Sequence, residues 1–211
     1  QARAQTAANY IKNKNMTWNN IIIIDHRVNT IEGLLKTPED RGVEIDIRDY
    51  DGDLVLTHEP FTNGDSLEEY LKNFHHKFII FNTKVDGITN HILDLIKKYK
   101  IKDYFFLDLA NPTLIWQANK GVRDIAVRFS EYEPVESCLA LKGKVEWVWV
   151  DCFHSIPLNQ ENYSILSKHF KLCLVSPEMQ GHPLDWIEKF KQDFKDMPIQ
   201  AVCTDRPDLW L

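Results

Sequence analysis

Short apolar segments recur along the chain at intervals of roughly 20 to 25 residues: Ile21 to Ile24, Val43 to Ile47, Phe78 to Phe81, Tyr104 to Leu107, Ile125 to Phe129, Trp147 to Val150, Leu172 to Val175 and Ile199 to Cys203. They are rich in Ile, Val, Phe and Trp and run largely apolar at consecutive positions, with Val43 to Ile47 the exception, where Glu44 and Asp46 alternate with apolar residues. That pattern marks strands covered on both faces, as in a parallel sheet. A further piece, Leu54 to Leu56, follows the turn-forming pair Asp51-Gly52 and reads as a hairpin return after the second strand. Between the strands the period changes. Ile88, Ile92, Leu95 and Ile96 share one helical face ahead of the basic end Lys97-Lys98. Leu67 to Phe74, Thr113 to Asn119, Val135 to Leu141, Gln160 to Phe170 and Leu184 to Phe194 follow the same rule. The alternation predicts an α/β chain folded as a compact (β/α)8 barrel with a β-hairpin insertion after its second strand. A doubly wound open sheet is the alternative. The first 18 residues, with Tyr10, Ile11, Met16 and Trp18 among polar neighbours, read as an N-terminal helical cap to a single domain spanning 1–211.

Composition narrows the classes. The chain has 211 residues, 44% hydrophobic and 27% charged, which suits one globular domain. Its net charge of −6 has the wrong sign for holding nucleic acid by phosphate neutralisation, so no nucleic-acid partner is expected. No uninterrupted apolar run exceeds four residues, against the 20 or so that a bilayer-crossing helix needs, so no membrane span is expected either. Cys138, Cys152, Cys173 and Cys203 lie 14, 21 and 30 residues apart, without the close pairs of a structural zinc site or a redox dithiol. They read as buried thiols, and with them a reducing, cytoplasmic setting is expected; the start at Gln1 leaves room for a removed signal peptide or a flanking domain.

In a barrel of this kind, groups at the C-terminal strand ends share one mouth. Those ends carry Asp25-His26-Arg27, Glu44 and Asp46, His58, Asn82 and Lys84, Asp108, Arg128 to Glu131, Asp151 and Glu178. Glu44-Ile45-Asp46 is the most informative, because the strand period of two puts both carboxylates on one face between apolar neighbours. Two such charges roughly 6 to 7 Å apart repel and are costly to bury, and a hard divalent cation with oxygen ligands would neutralise them. His26 and His58 add imidazoles for proton transfer, and Arg27 and Lys84 add positive charge for an anion. Phosphodiester cleavage needs these parts: a metal on a nonbridging oxygen, one imidazole to take a proton and another to give one.

His26-Arg27, then Gly42-Val43-Glu44-Ile45-Asp46-Ile47, then Asp51-Gly52-Asp53-Leu54-Val55-Leu56-Thr57-His58-Glu59-Pro60, and finally Cys203-Thr204-Asp205-Arg206-Pro207-Asp208-Leu209, resemble the glycerophosphodiester phosphodiesterase family in order and spacing. The resemblance implies a (β/α)8 barrel that hydrolyses a small phosphodiester with one bound Mg2+ or Ca2+. It implies Glu44 and Asp46 as metal ligands, His26 and His58 as the acid/base pair, and Arg27 and Lys84 as phosphate contacts. The chain departs from the family pattern in three places: Val28 stands where the family has glycine, Val28-Asn29-Thr30 follows Arg27 directly so that a glutamate is missing, and Asn82 stands in for a third metal-binding glutamate. Three accounts of Asn82 stay open: Asp108 supplies the missing carboxylate, the metal is loosely held, or the substrate carries extra negative charge to it. Arg128, at the end of the fifth barrel strand, is either a contact for a phosphate or carboxylate or a barrel-interior arginine balancing Glu44 or Asp46.

Plainer readings stand beside these. His26 and His58 would be packing histidines, Glu44 and Asp46 the polar face of an edge strand, Lys84 a solvated helix start, and Asp108, Asp151 and Glu178 capping groups. The competing functions are a divalent-metal phosphodiesterase, a catalytically silent barrel that binds a phosphorylated ligand, and a phospholyase that forms a cyclic phosphate.

Overall fold

The structure, a computed structural model, describes residues 21–211; the expected N-terminal cap at 1–18 lies outside the described residues. The described residues divide into two compact units, Ile24–Lys120 and Gly121–Leu211 together with residues 21–23.

β1 (Ile22–Asp25) ends inside Ile24–Lys120, where the chain continues through α1 (Ile31–Lys36), β2 (Gly42–Tyr50), β3 (Asp53–Leu56), β4 (Asp65–Ser66), α2 (Leu67–Lys72), β5 (Phe78–Thr83), α3 (Thr89–Tyr99), β6 (Tyr104–Leu107) and α4 (Asn111–Asn119). β2 is central. One edge pairs in parallel with β5 from Gly42↔Phe78 to Ile47↔Thr83, and β5 pairs in turn with β6. The other edge is shared: β1 takes Gly42 and Val43, and β3 takes Ile47 to Tyr50 in antiparallel register. The β2–β3 hairpin closes through Asp51 (φ 50°) and Gly52 (φ 90°), the two left-handed residues of a type I′ turn. Gly42 is required where three strands meet, because a Cβ there would stand 2.9 Å from Ile24 Cγ1 and 3.0 Å from Phe78 Cβ. Every residue of β5 is buried, and Val43, Ile45, Ile47, Ile79, Phe81 and Phe105 form the apolar centre around it. α1 begins at Thr30, whose Oγ1 accepts from Gly33 N at 2.9 Å.

Within the other unit the order is β7 (Ala126–Phe129), α5 (Val135–Leu139), β8 (Trp147–Val150), α6 (Gln160–Leu166), β9 (Lys171–Val175), a 3-10 turn at Pro177–Gln180, α7 (Asp185–Asp193), β10 (Ala201–Thr204) and a 3-10 turn at Pro207–Leu209. β7, β8, β9 and β10 pair in parallel in chain order. β8 and β10 are buried along their whole length, as continuous apolar strands require. Cys138, Cys152, Cys173 and Cys203 are all buried, and none is in a disulfide. Burial pushes the Cys138 thiol up to about 12 and raises those of Cys152 and Cys173 as well.

Among the described residues eight parallel strands alternate with seven helices, the order that a (β/α)8 fold requires, and the hairpin insertion follows the second strand as expected. Helix ends fall short of the apolar pattern in places: α6 stops at Leu166 and α2 at Lys72, with the apolar residues beyond them in turns. No helix among the described residues is long and apolar enough to cross a membrane.

Candidate functional site

The C-terminal half of β2 organises the candidate site in Ile24–Lys120. Glu44 and Asp46 project from one face of the strand, and each is 1% exposed. The parallel register sets Asn82 of β5 directly beside Asp46. β1 ends at Asp25 and the chain turns through Arg27, whose φ of 53° is left-handed and costs a non-glycine residue about 1 kcal/mol or more. The turn lays residues 27–29 along the edge of β2. Val28 N donates to Glu44 O at 2.9 Å, and Asp46 N donates to the Asn29 side-chain oxygen at 2.8 Å. Thr57 N, just past β3, then donates to Asp46 O at 3.0 Å. The Asn29 side chain thus takes the place of a strand backbone at this gap in the ladder.

The side chains follow from that scaffold. Glu44 Oε2 accepts from Arg27 N at 2.8 Å and has His26 Nε2 3.9 Å away; Glu44 Oε1 accepts from Asn82 Nδ2 at 2.8 Å. Asp46 Oδ2 accepts from Asn29 Nδ2 at 2.8 Å, with Arg27 Nε at 3.8 Å. Lys84 Nζ stands 3.2 Å from Asp46 Oδ1 and 3.6 Å from Asp108 Oδ2, so one ammonium bridges two carboxylates. Asp108, at the end of β6, also has a left-handed φ of 58°. Burial first, and the neighbouring charge of Asp46 second, raise the Glu44 carboxyl above the usual carboxylate range, against His26, Asn82 and the Arg27 amide. The structure therefore brings together His26, Arg27, Glu44, Asp46, Asn82, Lys84 and Asp108.

His58 follows β3 and is 38% exposed in its side chain, with Nδ1 2.8 Å from Glu59 Oε1. That contact holds the Glu59 carboxyl below its usual range. What ties His58 to the cluster is Arg48, two residues beyond Asp46 on the same strand face. Its Nε donates to His58 O at 3.1 Å and its Nη1 to Lys84 O at 3.3 Å. Arg48 and Asn29 are positioning residues that the strand-end pattern does not single out. For Arg48 a signal exists, since the period of two that marks Glu44 and Asp46 continues to it. Tyr70 of α2 also escapes that pattern: it is fully buried, its hydroxyl has no hydrogen-bond partner among the described residues, and the nearby Glu44 charge adds to burial in raising it well above the usual tyrosine range.

Arg128 belongs to the other unit. Its guanidinium is hydrogen-bonded to the buried Asp151 and its Nε lies 3.8 Å from Oε1 of the part-exposed Glu133, so these carboxylates, rather than Glu44 or Asp46, are the ones it is seen to pair. Asp151 also accepts from Gln180 Nε2 at 2.7 Å and Cys152 N at 3.0 Å. Glu178 accepts from Thr204 Oγ1, Ser176 Oγ and, at 3.0 Å, Asp205 N.

Among the described residues no three His, Cys, Asp or Glu side chains converge as a cation site. The donors that would hold one are two carboxylates and an amide. Asp46 Oδ1 and Asn82 Oδ1 are buried oxygens that accept no hydrogen bond, Lys84 lying near the first only as an ion pair. Unpaired oxygens on two residues that are register partners, beside a second carboxylate, fit a hard cation, with one charge fewer than three carboxylates would give.

No protein-family model and no curated protein matches this sequence. Two solved structures from Agrobacterium tumefaciens strain C58 are similar to it. One is assigned as a glycerophosphoryl diester phosphodiesterase (14% identity, TM-score 0.66, 90% of this chain and 95% of that one). The other is a glycerophosphodiester phosphodiesterase (13% identity, TM-score 0.62, 90% of this chain and 97% of that one). These likenesses show the fold: an α/β chain of parallel strands and helices shared over nine-tenths of its length.

Proposed function

We propose that this chain is a phosphodiesterase that hydrolyses a small, glycerophosphodiester-like or sugar-phosphodiester substrate by two-histidine acid/base catalysis with one divalent cation. The carrying observation is the buried pair Glu44 and Asp46, with an imidazole, a guanidinium and an ammonium each within 4.0 Å of it. The fold shared with the two phosphodiesterase structures supports the same reading.

Glu44, Asp46 and Asn82 would hold Mg2+ or Ca2+, which when bound supplies Lewis-acid polarisation of a nonbridging phosphate oxygen. Arg27, about half exposed, and Lys84 face the diester's negative charge from two sides. His58 donates through Nδ1 to Glu59, which fixes the ring and leaves Nε2 to take a proton from the attacking water. His26, beside Glu44, gives a proton to the leaving alkoxide. Arg48 keeps the His58 and Lys84 backbones in register with the β2 carboxylates.

The test is phosphorus NMR of a diester panel incubated with the purified chain and Mg2+, Ca2+ or Mn2+. A linear phosphomonoester should form, and His26→Ala and His58→Ala should each lower the rate by about 100-fold or more. Absence of turnover across the panel, or turnover indifferent to both substitutions, would refute the proposal. Accumulation of a cyclic phosphate would replace hydrolysis with internal transfer.

A further inference from the structure

Asn82 changes what the site can bind alone. Of the oxygens on Glu44, Asp46 and Asn82, three already accept a hydrogen bond: Glu44 Oε1 from Asn82, Glu44 Oε2 from Arg27 N and Asp46 Oδ2 from Asn29. Asp46 Oδ1 and Asn82 Oδ1, on residues paired in the β2–β5 register, are the two that accept none from the described residues. Only one of these carries formal charge. Arg27 and Lys84 meanwhile set two positive charges within 4.0 Å of Asp46, offsetting the attraction that the carboxylates offer a cation. Hard divalent cations take six or more oxygens, and Mg2+ in particular is commonly held by one or two carboxylates with phosphate oxygens and water completing the shell. The two features complement each other. The cation side is short of anionic oxygen, and the anion side has cations whose charge the carboxylates partly cancel. A phosphate group would supply oxygen to the first and an anion to the second.

We infer that cation and phosphate enter this site as a pair, each raising the other's affinity, because Asn82 leaves the cation's coordination to be completed by the ligand's phosphate oxygens. The inference rests on the proposed metal-assisted reading of the site and concerns binding, not turnover. Linkage makes it quantitative: the factor by which phosphate strengthens cation binding must equal the factor by which the cation strengthens phosphate binding.

The measurement is the free-ion EPR signal of Mn2+ titrated with the intact chain, with and without glycerol 3-phosphate, and calorimetric titration of glycerol 3-phosphate with and without Mn2+. A coupling factor of about tenfold or more, equal in both directions, is expected. Asn82→Asp, nearly isosteric, restores a third carboxylate. It should bind Mn2+ at least about tenfold tighter without phosphate and reduce the coupling to about twofold or less. Equal Mn2+ affinity with and without glycerol 3-phosphate in the unsubstituted chain would overturn the inference while leaving the phosphodiesterase reading standing. No Mn2+ binding under either condition would overturn the cation reading and this inference with it. Should Asn82→Asp fail to fold, the size of the coupling factor in the two unsubstituted titrations decides.

Discussion

Replacing Glu44 by glutamine removes one of two adjacent buried charges, and the local geometry sets how the new amide is received. The amide oxygen can keep the 2.8 Å bond from Arg27 N. The amide nitrogen then meets Asn82, which can turn its own side chain so that the orphaned oxygen accepts. The Asn82 bond is exchanged for one of opposite polarity, so the number of hydrogen bonds is unchanged, and what the substitution adds is relief of the repulsion and desolvation that raise the Glu44 carboxyl. That gain should be about 1–2 kcal/mol, within what single stabilising substitutions deliver. For a chain of this length that is roughly 2–8 °C in Tm. The pH dependence has a definite sign. Because the folded carboxyl is raised above its ordinary 4.5, the unsubstituted protein takes up this proton more readily when folded. Its stability from this group is fully present below 4.5 and lost as pH rises through the raised folded value. The Tm advantage of Glu44→Gln should therefore be largest near neutral pH and shrink toward acid, where a protonated Glu44 can donate to Asn82 as the substituted amide does. Circular-dichroism melts with EDTA from pH 4.5 to 7.5 test this. A neutral-pH Tm equal to or below that of the parent, or an advantage that widens on acidification, would refute the reasoning.

Lys84→Met leaves Asp46 buried without its ammonium, and should cost roughly 3 kcal/mol, the low end for breaking a buried pair since Lys84 is itself 18% exposed. Urea titration reads this, and a loss under about 1 kcal/mol would mean that Arg27 and Asn29 suffice. Gly42→Ala forces a methyl against Ile24 and Phe78 where β1, β2 and β5 meet, and should destabilise by about 1–3 kcal/mol. An unchanged thermal midpoint would show that these strands part without strain.

The repeating order of strands and helices is legible in the sequence because strands buried on both faces leave uninterrupted apolar runs. Glu44 and Asp46 are legible because a charge at every second residue of such a run marks one polar stripe on an otherwise apolar strand. The Asp51-Gly52 turn is legible from its chemistry. α1 is not: six residues interrupted at Gly33 carry too little periodicity to register. Asn29 is hidden for a different reason. Its role is to stand in for strand backbone on the edge of β2, a tertiary event that no local pattern encodes. Tyr70 reads as an ordinary core position of an amphipathic helix, and only the packed fold places its hydroxyl near Glu44. Arg128 shows the converse: the strand-end rule selects it, but its neighbours Asp151 and Glu133 decide what it does.

All four thiols of the chain lie in the half formed by Gly121–Leu211, and the half that carries Glu44 and Asp46 has none. All four are buried, and burial raises the thiols of Cys138, Cys152 and Cys173, so they react with an alkylating reagent only when local opening exposes them. Maleimide incorporation over time is thus an intrinsic clock for the opening of one half alone, running with no engineered label and silent to events confined to the other.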